Sequence, residues 1–322
     1  MVMAYPPPPG RAGAVAAVVP PASAFRVEHS PTALLAWRAL LLAMLTVWLI
    51  QRARVDAALE RGWAAARASP WVQHDSFEPV LATLSFGLWI NLWRIVDLFV
   101  PYLHRWKIGG GPDGPPPLEL HGQGRLEFLL RPGISNVAAL AYLLPLLAFD
   151  SLYPRRSLPA ACPTSAQLGA AVASSLFLYD FLFYWIHLAL HRVPWLFVHV
   201  HATHHRQAAL QSREVIRHSL LDGALQVGAN IASLKLLGLH PLSRALHNVA
   251  VTYWLTETHS GYDMPWMLHN LVPGGVLGGS PRHEAHHKCG RVHYHQFFTW
   301  IDRALGFECA EGGPDGDGTK RR

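Results

Sequence analysis

The sequence predicts an all-α, multi-pass membrane bundle of about four spans, carrying a cytosolic, histidine-rich helical cap that holds a two-metal site. Three observations predict it. Of 322 residues, 51% are hydrophobic and only 15% charged, against roughly 25% charged in a soluble globular domain. The mean hydropathy of +0.16 is low for a chain made only of spans, so a substantial polar portion lies outside the hydrocarbon. Sixteen of the twenty histidines fall between His187 and His295.

The same composition excludes several classes. Three widely separated cysteines, Cys162, Cys289 and Cys309, provide neither a disulfide framework nor a CxxC zinc site, so any metal must be held by histidine. The net charge is +6, but the 27 Lys and Arg are dispersed apart from the terminal Lys320–Arg322 run, which argues for a membrane-facing surface and against nucleic acid. The Ala/Pro-rich residues 1–31 lack a secretory pattern and read as a disordered tail, as do residues 307–322; residues 32–306 form the domain between them.

Four apolar stretches are the span candidates. Ala33–Ile50 contains one charge, Arg38, and is followed by an Arg/Ala-rich stretch, Gln51–Ser69, expected as a separate interfacial helix. Pro79–Tyr102 places Asn91, Arg94 and Asp97 on one helical face. After the Gly/Pro loop Gly109–Pro117 comes Ile134–Phe149, with Pro145 as an expected kink. Ser165–Leu190 is interrupted only by Asp180 and His187 and leads directly into the histidine region. Leu220–Leu239 and Pro241–Thr258, separated by Gly238 and Pro241, read as a hairpin of moderately apolar helices. Thirteen of the 27 Lys and Arg follow His191, which favours a cytosolic histidine region.

Spacing organises the histidines. His187 and His191 lie four apart at the end of the fourth apolar helix, on one face. His201, His204 and His205 (HATHH), and His283, His286 and His287 (HEAHH), repeat an i, i+3, i+4 pattern, expected to present three imidazoles on one side of one helical turn. A lone histidine is ordinarily a core or surface residue, and His199, His240 and His247 are read that way. Eight in three matched clusters are not, because clustered buried imidazoles cost desolvation and repel when protonated unless a metal holds them. Eight imidazoles exceed one four-coordinate zinc and suit two ions of higher coordination. Iron is preferred because it activates dioxygen. His283, Glu284 and His287 also spell HExxH, the zinc-protease signature, with Leu221–Gly223 as an LDG motif. That reading has the two motifs in the wrong order and leaves six histidines unused. A metal transporter would instead distribute ionisable residues through several spans.

The strings DFLFYWIHLALH (180–191), HATHH (201–205), HSGYDMPW (259–266), HEAHH (283–287) and FTWIDRALG (298–306) resemble the fatty acid hydroxylase and sterol desaturase superfamily of endoplasmic-reticulum membrane oxygenases. HRVPWLF and HSGYDMPWMLHNLVPGG are most similar to its cholesterol 25-hydroxylase branch. The resemblance implies a di-iron centre on His187, His191, His201, His204, His205, His283, His286 and His287, with His259 as a further ligand and His218 and His269 as weaker candidates. Purified material can carry zinc in place of iron. Where relatives carry His-Pro-x-Glu this chain has His218, Ser219 and Asp222, and His293-Tyr294-His295 replaces an Asn-Tyr-Gly-like turn. The implied reaction is O2-dependent hydroxylation of an unactivated C–H of a sterol or related lipid. Sterol C4-methyl oxidation, fatty-acid hydroxylation and desaturation are the alternatives with the same centre. No dinucleotide fingerprint is present, so electrons from NADPH are expected through an external b-type cytochrome or flavoprotein reductase. Trp185, Trp254 and Trp266 are candidates to line a lipid slot.

Overall fold

A computed structural model describes residues 22–109, 136–152, 158–206 and 210–309. Helix α1 (Pro31–Ala68) is followed by α2 (Phe77–Phe99), α3 (Asn136–Leu152), α4 (Ser165–Arg192), α5 (Leu220–Leu236), α6 (Pro241–Thr258), α7 (Gly279–Cys289) and α8 (Trp300–Leu305). Among the described residues there is no β-strand, only the isolated bridges Lys107–Tyr262 and Leu277–Phe298.

Three of these helices, α1, α2 and α4, are long and apolar enough to cross a membrane. The fourth expected span falls on α3, whose 17 described residues reach about 26 Å at 1.5 Å per residue; the residues on either side of it lie outside the described ones. Pro145 lies within it. The expected break at Gln51 is absent: α1 runs unbroken for 38 residues, because its polar half is built from the helix formers Ala, Arg, Leu and Glu. Its far end docks through Trp63, whose indole donates to the Pro159 carbonyl (3.0 Å) and meets the His240 ring edge-on.

Helix α4 starts at a capping box, Thr164 with Gln167, and ends where Val193 turns extended before Pro194. It packs against the α5/α6 hairpin that the sequence predicts, and α2 closes the other side of α6, with the Trp89 indole donating to the Val249 carbonyl (3.2 Å). Phe86, Ile90, Tyr179, Phe183, Val251 and Trp254 form the centre of the main core.

The ordered chain begins before residue 31. Ala22–Phe25 forms a 3-10 turn with Phe25 buried, and the Val27 amide donates to Asp263 (2.9 Å). His29 and His269 flank the same carboxylate at 3.2 and 2.9 Å, and Arg38 on α1 donates to the Asn270 carbonyl. Residues 22–31 of the expected tail are thus structured, because a long-range polar clasp supplies what local sequence does not. At the other end Phe307 packs on Tyr294, and the Cys309 amide donates to His293. The rest of both expected tails, and most of the Gly109–Pro117 loop, lie outside the described residues.

Candidate metal centre

Nine imidazoles converge at the end of α4 in two adjacent groups. His187, His191, His201, His205 and His286 form one, and His204, His259, His283 and His287 the other; within each group the ligand atoms lie within 4.8 Å of one another. All nine residues singled out for metal from the sequence are thus brought together. The other two lie outside both groups: the His218 ring stands 6.4 Å from that of His204, and His269 belongs to the Asp263 clasp.

The boxes are divided between the groups, contrary to the expectation of three imidazoles on one side of each turn. In the second box the chain passes through a π-helical turn, Phe197–His201, then a tight turn closed by His204 N–H to His201 O (2.9 Å). His201 and His205 consequently face one group and His204 the other. On α7 the third box splits for a simpler reason. Successive residues are about 100° apart on a helix, so His286 and His287 face different groups while His283 and His287, one turn apart, share one.

Hydrogen bonding fixes the proton positions. His187 Nδ1 donates to the Tyr294 carbonyl (2.7 Å), His286 Nδ1 to that of Val292 (2.8 Å) and His259 Nδ1 to that of Leu255 (2.8 Å). His201 Nδ1 donates to the Asp222 carboxylate (2.8 Å). A neutral imidazole that donates at Nδ1 carries a lone pair at Nε2. Yet His187 and His205 Nε2 each stand 3.2 Å from His201 Nε2, and His283 Nε2 stands 2.8 Å from that of His259 and 3.1 Å from that of His287. Both ring nitrogens of His191 and Nε2 of His286 are buried with no hydrogen-bond partner. The Nε2 lone pairs of His187 and His201 therefore face one another in a buried site, where a cation is the natural occupant, and neutral imidazole is the form that binds metal.

Electrostatics agree. Burial, then the neighbouring imidazoles, hold His204, His205, His283, His286 and His287 well below the usual histidine range, and burial brings His259 to about 4. Burial pushes the Asp222 carboxyl up, but His201 more than offsets this and its pKa falls below the ordinary value. Helix α7 is polar, yet Gly279–His286 is buried throughout. A bound ion would offset that desolvation.

The supporting carboxylates were not identified as such from the sequence. Asp180, three residues before the Phe183–Tyr184 pair of α4, accepts from the amides of Gln296, Phe297 and Phe298 at 2.8–3.1 Å. Asp302 accepts from the Tyr184 hydroxyl (2.9 Å), the His295 amide (3.1 Å) and His295 Nδ1. These bonds brace the 292–295 loop whose carbonyls orient His187 and His286. His293, His295 and Asp302 also lie close enough to hold an ion. His295 Nδ1 pairs with Asp302 and His293 Nε2 accepts from the Cys309 amide (3.3 Å), while His293 Nδ1 is buried with no hydrogen-bond partner. The available signal for Asp180 was a carboxylate inside an otherwise apolar stretch of helix.

Glu284 of the HExxH string accepts from the Leu210 amide (3.1 Å) and pairs with Lys288 (3.6 Å), while Asp222 serves His201. Neither occupies the position the protease reading requires. Of the three tryptophans, Trp185 is exposed beside Tyr184, Trp254 stacks on Phe297 in the core (4.3 Å), and Trp266 packs between Trp37 and Trp106.

Apolar spanning helices joined to a buried polyhistidine cap define an integral membrane protein with a metal centre. Comparison with known proteins gives the family. The fatty acid hydroxylase family model matches residues 172–307. The chain is similar to cholesterol 25-hydroxylase of Homo sapiens, 30% identical over 76% of this chain and 86% of the relative. It is 32% identical to the Mus musculus protein of that name over 70% and 73%. A putative methylsterol monooxygenase of Dictyostelium discoideum is 34% identical over 45% of this chain and 53% of the relative. No solved structure matches. The chain belongs to the fatty acid hydroxylase family, and it is an oxidoreductase.

Proposed function

We propose that this protein is a di-iron membrane monooxygenase that hydroxylates an unactivated C–H of a sterol in the manner of a cholesterol 25-hydroxylase. The observation that carries the reading is the two groups of clustered imidazoles, with the Nε2 lone pairs of His187 and His201 opposed, in a chain related to cholesterol 25-hydroxylases over most of its length. His187, His191, His201, His205 and His286 would hold one iron, and His204, His259, His283 and His287 the other.

Iron at these positions supplies reductive activation of dioxygen. The chain's own residues do the rest. The Tyr294, Val292 and Leu255 carbonyls and the Asp222 carboxylate keep four rings in the tautomer that leaves Nε2 to the metal. Phe183, stacked on His187 (5.6 Å), and Phe197, beside His191 and His205, wall the site with rings that exclude water. We place the enzyme in the endoplasmic reticulum with the histidine cap in the cytosol, where a b-type cytochrome or flavoprotein reductase delivers electrons from NADPH. The likeness to methylsterol monooxygenases supports oxidation at a sterol ring methyl as the second reading.

The test is purification of the protein in lipid, determination of its metals, and mass spectrometry of sterols after incubation with cholesterol, O2 and reductant. Two irons per chain and a side-chain oxysterol are expected. Metal-loaded protein that consumes O2 with reductant and leaves sterols unoxidised would overturn the reading.

A further inference from the structure

Beside the nine-histidine centre, His293, His295 and Asp302 form a group of their own, each offering a ligand atom within 4.8 Å of the others. Neither histidine belongs to the three boxes. Their rings stand 5.7 Å apart at 81°.

The local chain explains the grouping. Tyr294 turns its ring toward His187, His191 and His286, at 6.1, 5.4 and 5.6 Å, whereas its two neighbours gather with Asp302 of α8 instead. The turn needs φ = +54° at His293, a left-handed conformation in which Asn, Asp and His are the side chains best tolerated. The loop thus serves the histidine centre with one face and builds the small group with the other.

Burial, donor set and proton placement all suit a divalent ion. The three residues are at most 3% exposed, the enclosed setting of a structural zinc site and not of an open catalytic one. Two imidazoles and a carboxylate are ordinary zinc ligands. His295 Nδ1 and Asp302 are in direct contact, and a cation can replace the proton between them, which leaves to solvent. Asp302 keeps the Tyr184 hydroxyl and the His295 amide.

His293 supplies the independent sign. Its Nε2 accepts from the Cys309 amide, so Nδ1 of the neutral ring carries its proton in a buried position with no acceptor, a costly arrangement. Ligation at Nδ1 moves that proton to Nε2 and removes the orphan. It gives up an amide contact of 3.3 Å, already long for an N–H donor. The neighbouring cations do not oppose an ion: Arg282 is engaged by Glu308 (3.4 Å) and by the Gly275 and Leu277 carbonyls, and Arg26 is exposed.

We propose that His293, His295 and Asp302 form a further metal site, separate from the nine-histidine centre, that takes a zinc-class divalent ion and locks the 292–295 loop. The Val292 and Tyr294 carbonyls of that loop hold Nδ1 of His286 and of His187. The ion would therefore fix two rings of the five-histidine group without touching them. Its role is positioning, and the site does not depend on the sterol reading.

The test uses the full chain in nanodiscs, stripped with chelator, re-equilibrated with saturating zinc and dialysed, with zinc per chain measured by mass spectrometry. His293→Asn removes a ligand and keeps a residue that accepts the left-handed φ, and His295→Ala removes another. Each variant is expected to hold one zinc fewer than the wild type. The readout is a difference, so it stands however many ions the nine histidines take. Equal zinc in wild type and both variants overturns the site. Loss of more than one ion overturns it too, because the effect then lies in the nine-histidine centre. If neither variant folds, the wild type decides: three zinc ions per chain support the site, and two or fewer overturn it.

Discussion

Asp222 accepts the Nδ1 proton of His201 at 2.8 Å, with both side chains buried. The bond joins the α5/α6 hairpin to the second histidine box and turns His201 Nε2 toward the five-histidine group. Outer carboxylates of this kind contribute 10–100-fold in metal affinity. Asp222→Asn is expected to weaken the five-histidine ion by about that factor, read as metal retained per chain during chelator titration, while the four-histidine ion stays bound.

The division of the boxes makes the two ions separable. His191→Ala removes a ligand from one group and His283→Ala from the other. Each variant is expected to retain about one metal per chain and to lose hydroxylation. Loss of both metals from either variant would show that the groups load as a unit.

Asp180 satisfies three backbone amides with one carboxylate. Each buried N–H left without an acceptor costs about 1–3 kcal/mol. Asp180→Ala is therefore expected to destabilise the protein by several kcal/mol in thermal unfolding. It is also expected to lower metal retention, since the loop that follows Tyr294 loses its anchor.

The metal-free protein has a defined acid sensitivity. Burial lowers the His247 pKa from 6.5 to about 4. The unfolded chain therefore binds a proton below pH 6.5 that the folded chain refuses until about pH 4. Stability is full above 6.5 and falls across that window, by on the order of 3 kcal/mol for this group. The apoprotein is expected to show a falling thermal midpoint from pH 6.5 to 4, and His247→Gln to flatten the slope.

Much of this site is legible in one dimension because helical spacing is a local property. His187 and His191 share a face wherever α4 is placed, and their joint assignment needed no tertiary information. The partition of His204 from His201 and His205 was not legible, since it depends on a π-turn that no residue of FVHVH announces. Asp222 was legible only as a departure from His-Pro-x-Glu, because its meaning comes from a neighbour 21 residues away. The tryptophans show the opposite limit: an aromatic residue near a site packs as core or belt unless the surrounding shape provides a slot.

The clasp of Val27, His29 and Arg38 on Asp263 and Asn270 closes across more than 230 residues. Synthesis proceeds from the N-terminus, so α1 enters the bilayer long before its partners exist. It must wait there solvated by lipid, consistent with an apolar window that is not buried even in the finished fold. The clasp is in this sense a completion signal. A chain that stops before residue 263 presents an Asp-seeking amide and an unpaired arginine on its first helix, a chemical mark of unfinished synthesis that the mature protein hides.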